Sequence, residues 1–170
     1  ADKKIALILA NYPNKDGRIA NGVGLDTPES AFQAMRDLQV AGYTITDMPD
    51  SSADLIAELR KGPTNAGWQG RESHITLARD VYAHAFALLP DDVQSAVIDR
   101  WGAVDNDPMF DGKLFHVPVL TFGHIVVGVQ PARGYNIDPK ATYHAPDLVP
   151  PHNYFAFYIW LREIWGMDAV

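Results

Sequence analysis

The side chains that could bind or activate a ligand are six histidines, together with arginines and carboxylates set beside glycine-rich turns, because the chain contains no cysteine. That absence excludes disulfides, thiolate metal sites and a Cys nucleophile, and leaves His, Asp and Glu as possible metal ligands. His74 and His84 fall on one predicted helix but ten residues apart, so they point in different directions and read as surface or hydrogen-bonded core histidines. His116 and His124 flank a predicted turn, and His144 and His152 lie in or beside a long proline-containing loop. No local pair has metal-ligand spacing. His152, between Pro151 and an aromatic helix, is the one singled out as a candidate functional residue.

Two arginines stand where anions or amide side groups gather. Arg18 lies in a glycine-bearing loop, 11–25, between a predicted strand and the helix start Asp26-Thr27-Pro28-Glu29, where backbone N–H groups and the helix dipole favour negative charge. The nucleotide signatures fail, since Thr27 stands where the third glycine after Gly22 and Gly24 would be, and no Gly-Lys-Ser/Thr occurs. Asp26 is either a ligand contact or a helix cap. Arg133 follows a second predicted strand in Gly128-Val129-Gln130-Pro131-Ala132-Arg133, where its planar fork suits a carboxylate or amide, or an ion pair with Asp138 or Asp147. Neither a Ser-His-Asp set nor a carboxylate pair stands out.

The elements that must position these groups follow from pattern. Residues 4–10 form a short apolar run before Asn11-Tyr12-Pro13-Asn14, a buried strand. Ala31, Ala34, Met35 and Leu38 give a helix closed by Gly42. Residues 43–46 are expected as a strand, Ser51 or Ser52 caps a helix ending at Gly62-Pro63, 73–89 is expected as one helix, and Pro90-Asp91-Asp92 restarts a helix to Trp101. The runs 114–120 and 125–129 suggest a hairpin around Gly123-His124, with Pro118 directing the first to a sheet edge. Residues 130–151 form a long loop, and 153–165 a helix apolar on nearly every side. The expected architecture is α/β, a parallel or mixed sheet flanked by helices in the Rossmann/flavodoxin-like manner, as a single domain over 1–170 with a small helical insertion at 50–104. In such folds ligands gather outside the carboxyl ends of the strands, where the loops holding Arg18 and Arg133 would both open.

Composition limits the partners. A chain of 170 residues with 47% hydrophobic content can bury a core, and 14 basic against 21 acidic residues give a net charge of −7, which opposes a polyanion-binding surface, so no nucleic-acid partner is expected. The apolar stretch 154–161 is far shorter than the ~20 residues a bilayer span needs, and the first apolar run lacks a cleavage site, so a cytoplasmic setting is expected. The absence of a starting methionine and the apolar run beginning after Gly166 suggest a piece of a larger subunit.

Three stretches together, ILANYPNKDGRIANGVGLDTP (8–28), GVQPARGYNIDPKATYHAPDL (128–148) and VPPHNYFAFYIWLREIWGMDAV (149–170), closely resemble the large subunit of cobaltochelatase, the CobN type, whose relatives include the porphyrin-binding subunit of magnesium chelatase. The resemblance implies insertion of cobalt into hydrogenobyrinic acid a,c-diamide in cobalamin biosynthesis, with the tetrapyrrole held by the large subunit while ATP is hydrolysed with Mg by separate AAA-type subunits. By the same resemblance Asn11, Arg18, Asn21, Asp26, Gln130, Arg133 and Tyr135 contact ligand, His152 is catalytic, and a motif rich in His, Gly and Glu follows Val170. The metal ligands stay open. The magnesium enzyme and a non-catalytic scaffold for the ATPase partners are the alternatives.

Overall fold

The computed structural model describes residues 2–10, 21–22, 25–134 and 147–170. Its central sheet has three strands: β1 (Ile5–Leu9), β6 (Val119–Phe122) and β7 (Ile125–Val129), in the order β1-β7-β6. β7 runs parallel to β1, with Ile5 opposite Ile125 and Leu9 opposite Val129, and antiparallel to β6 across a tight turn at Gly123-His124. All five residues of β7 are buried, the signature of a strand covered on both faces. On the outer side of β1, Ala169 pairs in parallel with Ile5 through an isolated bridge.

Alternation of side chains sends two sets of residues to two cores. Leu9, Phe122, Ile125, Val127 and Val129 pack under α1 (Thr27–Val40) and α2 (Ser52–Lys61). Ala6, Val119 and Val126 pack on the opposite face against α3 (Arg79–Phe86), α4 (Asp91–Trp101) and α5 (His152–Ile159), the last extended by a π-helical turn, Trp160–Trp165. The result is an α/β sandwich with a mixed sheet. The helices of 50–104, expected as an insertion, divide between the two faces, because α2 shares its core with α1 while α3 and α4 share theirs with α5.

Several boundaries differ from expectation. Residues 43–46 form no strand; the segment runs extended past the hairpin tip, where the Thr44 carbonyl accepts from the His124 N–H at 2.8 Å. The helix expected over 73–89 begins only at Arg79, since β4 (Thr76–Ala78) pairs with β5 (Leu114–His116) and tertiary pairing overrides the helical spacing. The run 114–120 is split at Pro118, which lacks an N–H, so β5 serves this small ladder and β6 the main sheet, at its edge. A two-residue ladder joins β2 (Asn21–Gly22) to β3 (Leu25–Asp26) ahead of α1. Gly128 lets α5 approach the sheet, for a Cβ there would meet the Phe157 ring and Val119 at 2.9 Å.

Candidate functional site at the carboxyl rim of the sheet

Because β1 and β7 are parallel, both end at one rim, and the Gln130 N–H still donates to the Leu9 carbonyl, 2.9 Å, as the chain leaves the sheet. Helix α1 runs back from this rim, since its far end leads to Thr44 at the opposite, hairpin end. Helix α5 does the same. Lys4, just before β1, donates to the Trp165 carbonyl at 2.8 Å, while at the other end of the helix Tyr154 Oη lies 3.4 Å from Gln130 Nε2. Two helix N-termini and two strand exits therefore open together.

The predicted residues distribute as follows. Asp26 is the N-cap of α1: its Oδ1 accepts from the Glu29 N–H at 3.1 Å and its carbonyl from Ser30 Oγ at 2.7 Å, so the cap function is met in full by the chain itself. Gln130 lies at the rim, partly buried. Arg133 is exposed there, and among the described residues no carboxylate pairs with it. Asn21 is described only in its backbone, opposite Asp26 in the short ladder. Asn11, Arg18 and Tyr135 lie outside the described residues, as do Asp138 and His144.

His152 opens α5 but is only 3% exposed. Its Nε2 is 2.9 Å from the Gly102 carbonyl, which can only accept, so Nε2 carries the proton and Nδ1 accepts from Tyr82 Oη at 2.6 Å. Burial, reinforced by the Asp107 carboxylate, pushes the Tyr82 phenol up, which keeps it a donor. Both ring nitrogens are thus engaged inside the protein. In this structure His152 fixes the start of α5 against α3 and the end of α4.

Residues that sequence reasoning passed over hold the rim together. Asn65, in the tight turn after α2, donates through Nδ2 to the Gln130 carbonyl at 2.9 Å and accepts through Oδ1 from the Ala132 N–H at 3.1 Å, so one side chain imitates a neighbouring strand and steers Arg133. Asp107, 5% exposed, accepts from the Met109 and Asn153 N–H groups, each at 2.9 Å. It supplies the negative charge that α5 needs, because the helix's own N-cap is Pro151, whose side chain has no acceptor. The Tyr154 and Tyr158 rings meet at a tilt of 45° with centroids 5.2 Å apart, and burial, then Tyr154, pushes the Tyr158 phenol up to about 12. Only the turn-forming types of Asn65 and Asp107 were visible locally; the partners that place them at the rim, Gln130 and Asn153, are 40 or more residues away.

Away from the rim, Ser73 Oγ lies 2.6 Å from His116 Nδ1, and His116 Nε2 lies 3.0 Å from Asp111 Oδ2, with Trp68 stacked on the imidazole at 4.2 Å. This is a Ser-His-Asp chain that no local spacing announced, formed when β4 pairs with β5. Its ring nitrogens are used in the reverse of the order found in serine hydrolases, and it ties the approach to β4 onto β5. A groove of about 550 Å³ borders the open edge of β6, with Asp50, Asp54, Glu58 and Glu72 in its lining, and shares no residue with the rim. Among the described residues no group of three or more His, Asp or Glu is placed to hold a metal ion. No helix there is long and apolar enough to cross a membrane.

Fold and rim together define an open-sheet α/β domain whose polar groups gather where parallel strands end, the position at which such folds take ligands. Comparison with known proteins gives the family. The model of the CobN/magnesium chelatase family matches residues 1–170, and the chain belongs to that family. It is 45% identical over 170 residues to the aerobic cobaltochelatase subunit CobN of a Sinorhizobium species, covering all of this chain and 13% of that protein. Identity to the CobN subunit of Pseudomonas aeruginosa is 49% over 173 residues, covering all of this chain and 14% of that protein. The H-type magnesium-chelatase subunit of Rhodobacter capsulatus is 27% identical over 170 residues, again all of this chain and 14% of the other. Among solved structures, the catalytic subunit of cobaltochelatase from Mycobacterium tuberculosis superposes with a TM-score of 0.75 at 33% identity, over 95% of this chain and 14% of that one. The chain thus spans 13 to 14% of the length of these relatives.

Proposed function

We propose that this chain is part of the tetrapyrrole-binding large subunit of an ATP-dependent cobaltochelatase, in which cobalt replaces two ring protons of hydrogenobyrinic acid a,c-diamide. The observation that carries the reading is the identity of 45 to 49% to CobN subunits across the whole chain, against 27% to a magnesium-chelatase subunit of the H type. The rim fits the role. It presents an exposed guanidinium, Arg133, for an amide or carboxylate at the ring's edge, and the polar Gln130–Tyr154 pair beside it. Asn11, Arg18, Asn21 and Tyr135 belong to the same proposed contact set. His152 enters as the residue that positions α5. Cobalt is substrate here, and AAA-type partner subunits supply ATP hydrolysis with Mg in the cytoplasm.

Titration with hydrogenobyrinic acid a,c-diamide, read by tryptophan fluorescence, tests the reading: saturable quenching is expected, stronger than with a porphyrin. Arg133→Ala should weaken that binding by roughly 10-fold and leave the melting temperature within about 1–2 °C, as removal of an exposed charge-assisted contact predicts. Preference for the porphyrin would favour the magnesium reading. Absence of binding to either ring, in the full-length protein, would refute both and leave a scaffold for the ATPase partners.

A further inference from the structure

Helix α5 presents one buried stripe to the sheet, Asn153, Ala156, Phe157 and Trp160, at helical spacing. The Phe157 ring sits over Gly128, close enough that a Cβ there would touch it. Asn153 lies one turn earlier, about 6 Å toward the helix N-terminus, and helical side chains lean further that way. Since Gln130 leaves β7 beside Leu9 of β1, that turn stands over the ends of both parallel strands. Asn153 is therefore the member of this buried stripe nearest the rim.

Asn153 is 9% exposed, and its Oδ1 is buried with no hydrogen-bond donor among the described residues. Its backbone N–H is satisfied by Asp107, so what is unmet lies in the side chain, at Oδ1. A carbonyl oxygen stripped of water and left unpaired destabilises a fold, and an apolar side chain of the same shape would avoid that penalty. A residue kept at such a position is accounted for if a ligand brings the missing donor. An amide oxygen accepts from any N–H, and the inner and peripheral N–H groups of a tetrapyrrole are donors of that kind.

We propose that Asn153 Oδ1 accepts a hydrogen bond from an N–H of the tetrapyrrole bound over the ends of β1 and β7, an inference that rests on the tetrapyrrole reading of this rim. If the donor is an inner pyrrole N–H, the contact exists with the metal-free ring and vanishes once metal has displaced the two protons, which favours substrate over product. A peripheral amide N–H would serve both rings alike.

The test uses the full-length protein with Asn153→Leu and Asn153→Ala, titrated by tryptophan fluorescence with metal-free hydrogenobyrinic acid a,c-diamide and with its cobalt complex. Affinity for the metal-free ring should fall roughly 3- to 10-fold in both variants, with the melting temperature of ligand-free Asn153→Leu no lower than that of the unsubstituted protein. An unaltered affinity for the cobalt complex assigns the inner N–H, and a parallel loss assigns the amide. Unchanged affinity for the metal-free ring in both variants overturns the inference and leaves a buried water as the partner of Oδ1. A clear drop in melting temperature in both ligand-free variants also overturns it, by showing the oxygen already satisfied. Failure of the unsubstituted protein to bind the ring would remove the proposed function along with the inference.

Discussion

Replacing Asp107 by alanine should destabilise this domain more than any other single removal of a polar side chain near the rim. The carboxylate is 5% exposed and takes two backbone N–H groups, those of Met109 and Asn153. Both donors are in buried residues and would lose their acceptor at once. An abandoned buried N–H is worth about 1–3 kcal/mol, and loss of charge at a helix N-terminus adds up to about 1 kcal/mol. Allowing for partial solvation after relaxation, the expected loss is about 2–5 kcal/mol, out of the roughly 5–15 kcal/mol that holds a domain folded. Asp107→Asn retains one acceptor oxygen and should lose about half as much. Urea unfolding followed by far-ultraviolet circular dichroism measures both, with an unchanged slope confirming that the same surface is exposed. A loss below about 1 kcal/mol for Asp107→Ala would refute the capping role, since it would mean that the N-terminus of α5 finds its acceptors elsewhere.

Two further outcomes follow from the geometry. Burial alone would raise the Asp111 carboxyl, but the Leu114 and Lys113 N–H groups and His116 outweigh it and hold the group below the usual carboxylate range. A depressed folded value stabilises above the unfolded value and is lost as pH falls through the folded one, so this contribution disappears below about pH 4. Urea midpoints measured from pH 6 down to 2 should fall less steeply in Asp111→Asn, and an identical slope would exclude Asp111 from the acid limb. Gly128→Ala forces a methyl into the Phe157 ring and Val119, each 2.9 Å away, and should lower stability by about 1–3 kcal/mol, read as a shift in urea midpoint; a neutral result would mean that α5 stands off the sheet without penalty.

Much of the frame was legible because its causes are local. The apolar run of β1, the hairpin at Gly123-His124, the Asp26 and Ser51 caps, Gly42 at the end of α1 and the apolar character of α5 each depend on residues within a few positions of one another. The opening of Leu9 and Gln130 at one rim was likewise foreseeable from two apolar runs followed by glycine- and proline-bearing loops. Helical spacing misled at 73–78, where nothing in the segment reports that Leu77 will pair with Phe115.

By itself the sequence determined most of the strands and helices, though not 43–46 or 73–78, which loops leave the strands, and, through long uninterrupted motifs, the family. The tertiary structure alone decided what each polar side chain does. The packing set both nitrogens of His152 against Tyr82 and Gly102, and made Asp107 and Asn65, unremarked in the chain, the groups that hold the rim. The physical reason is that a hydrogen bond depends on the last few tenths of an ångström between groups 40 to 70 residues apart, and that distance is set by packing across the sheet, which no local pattern encodes.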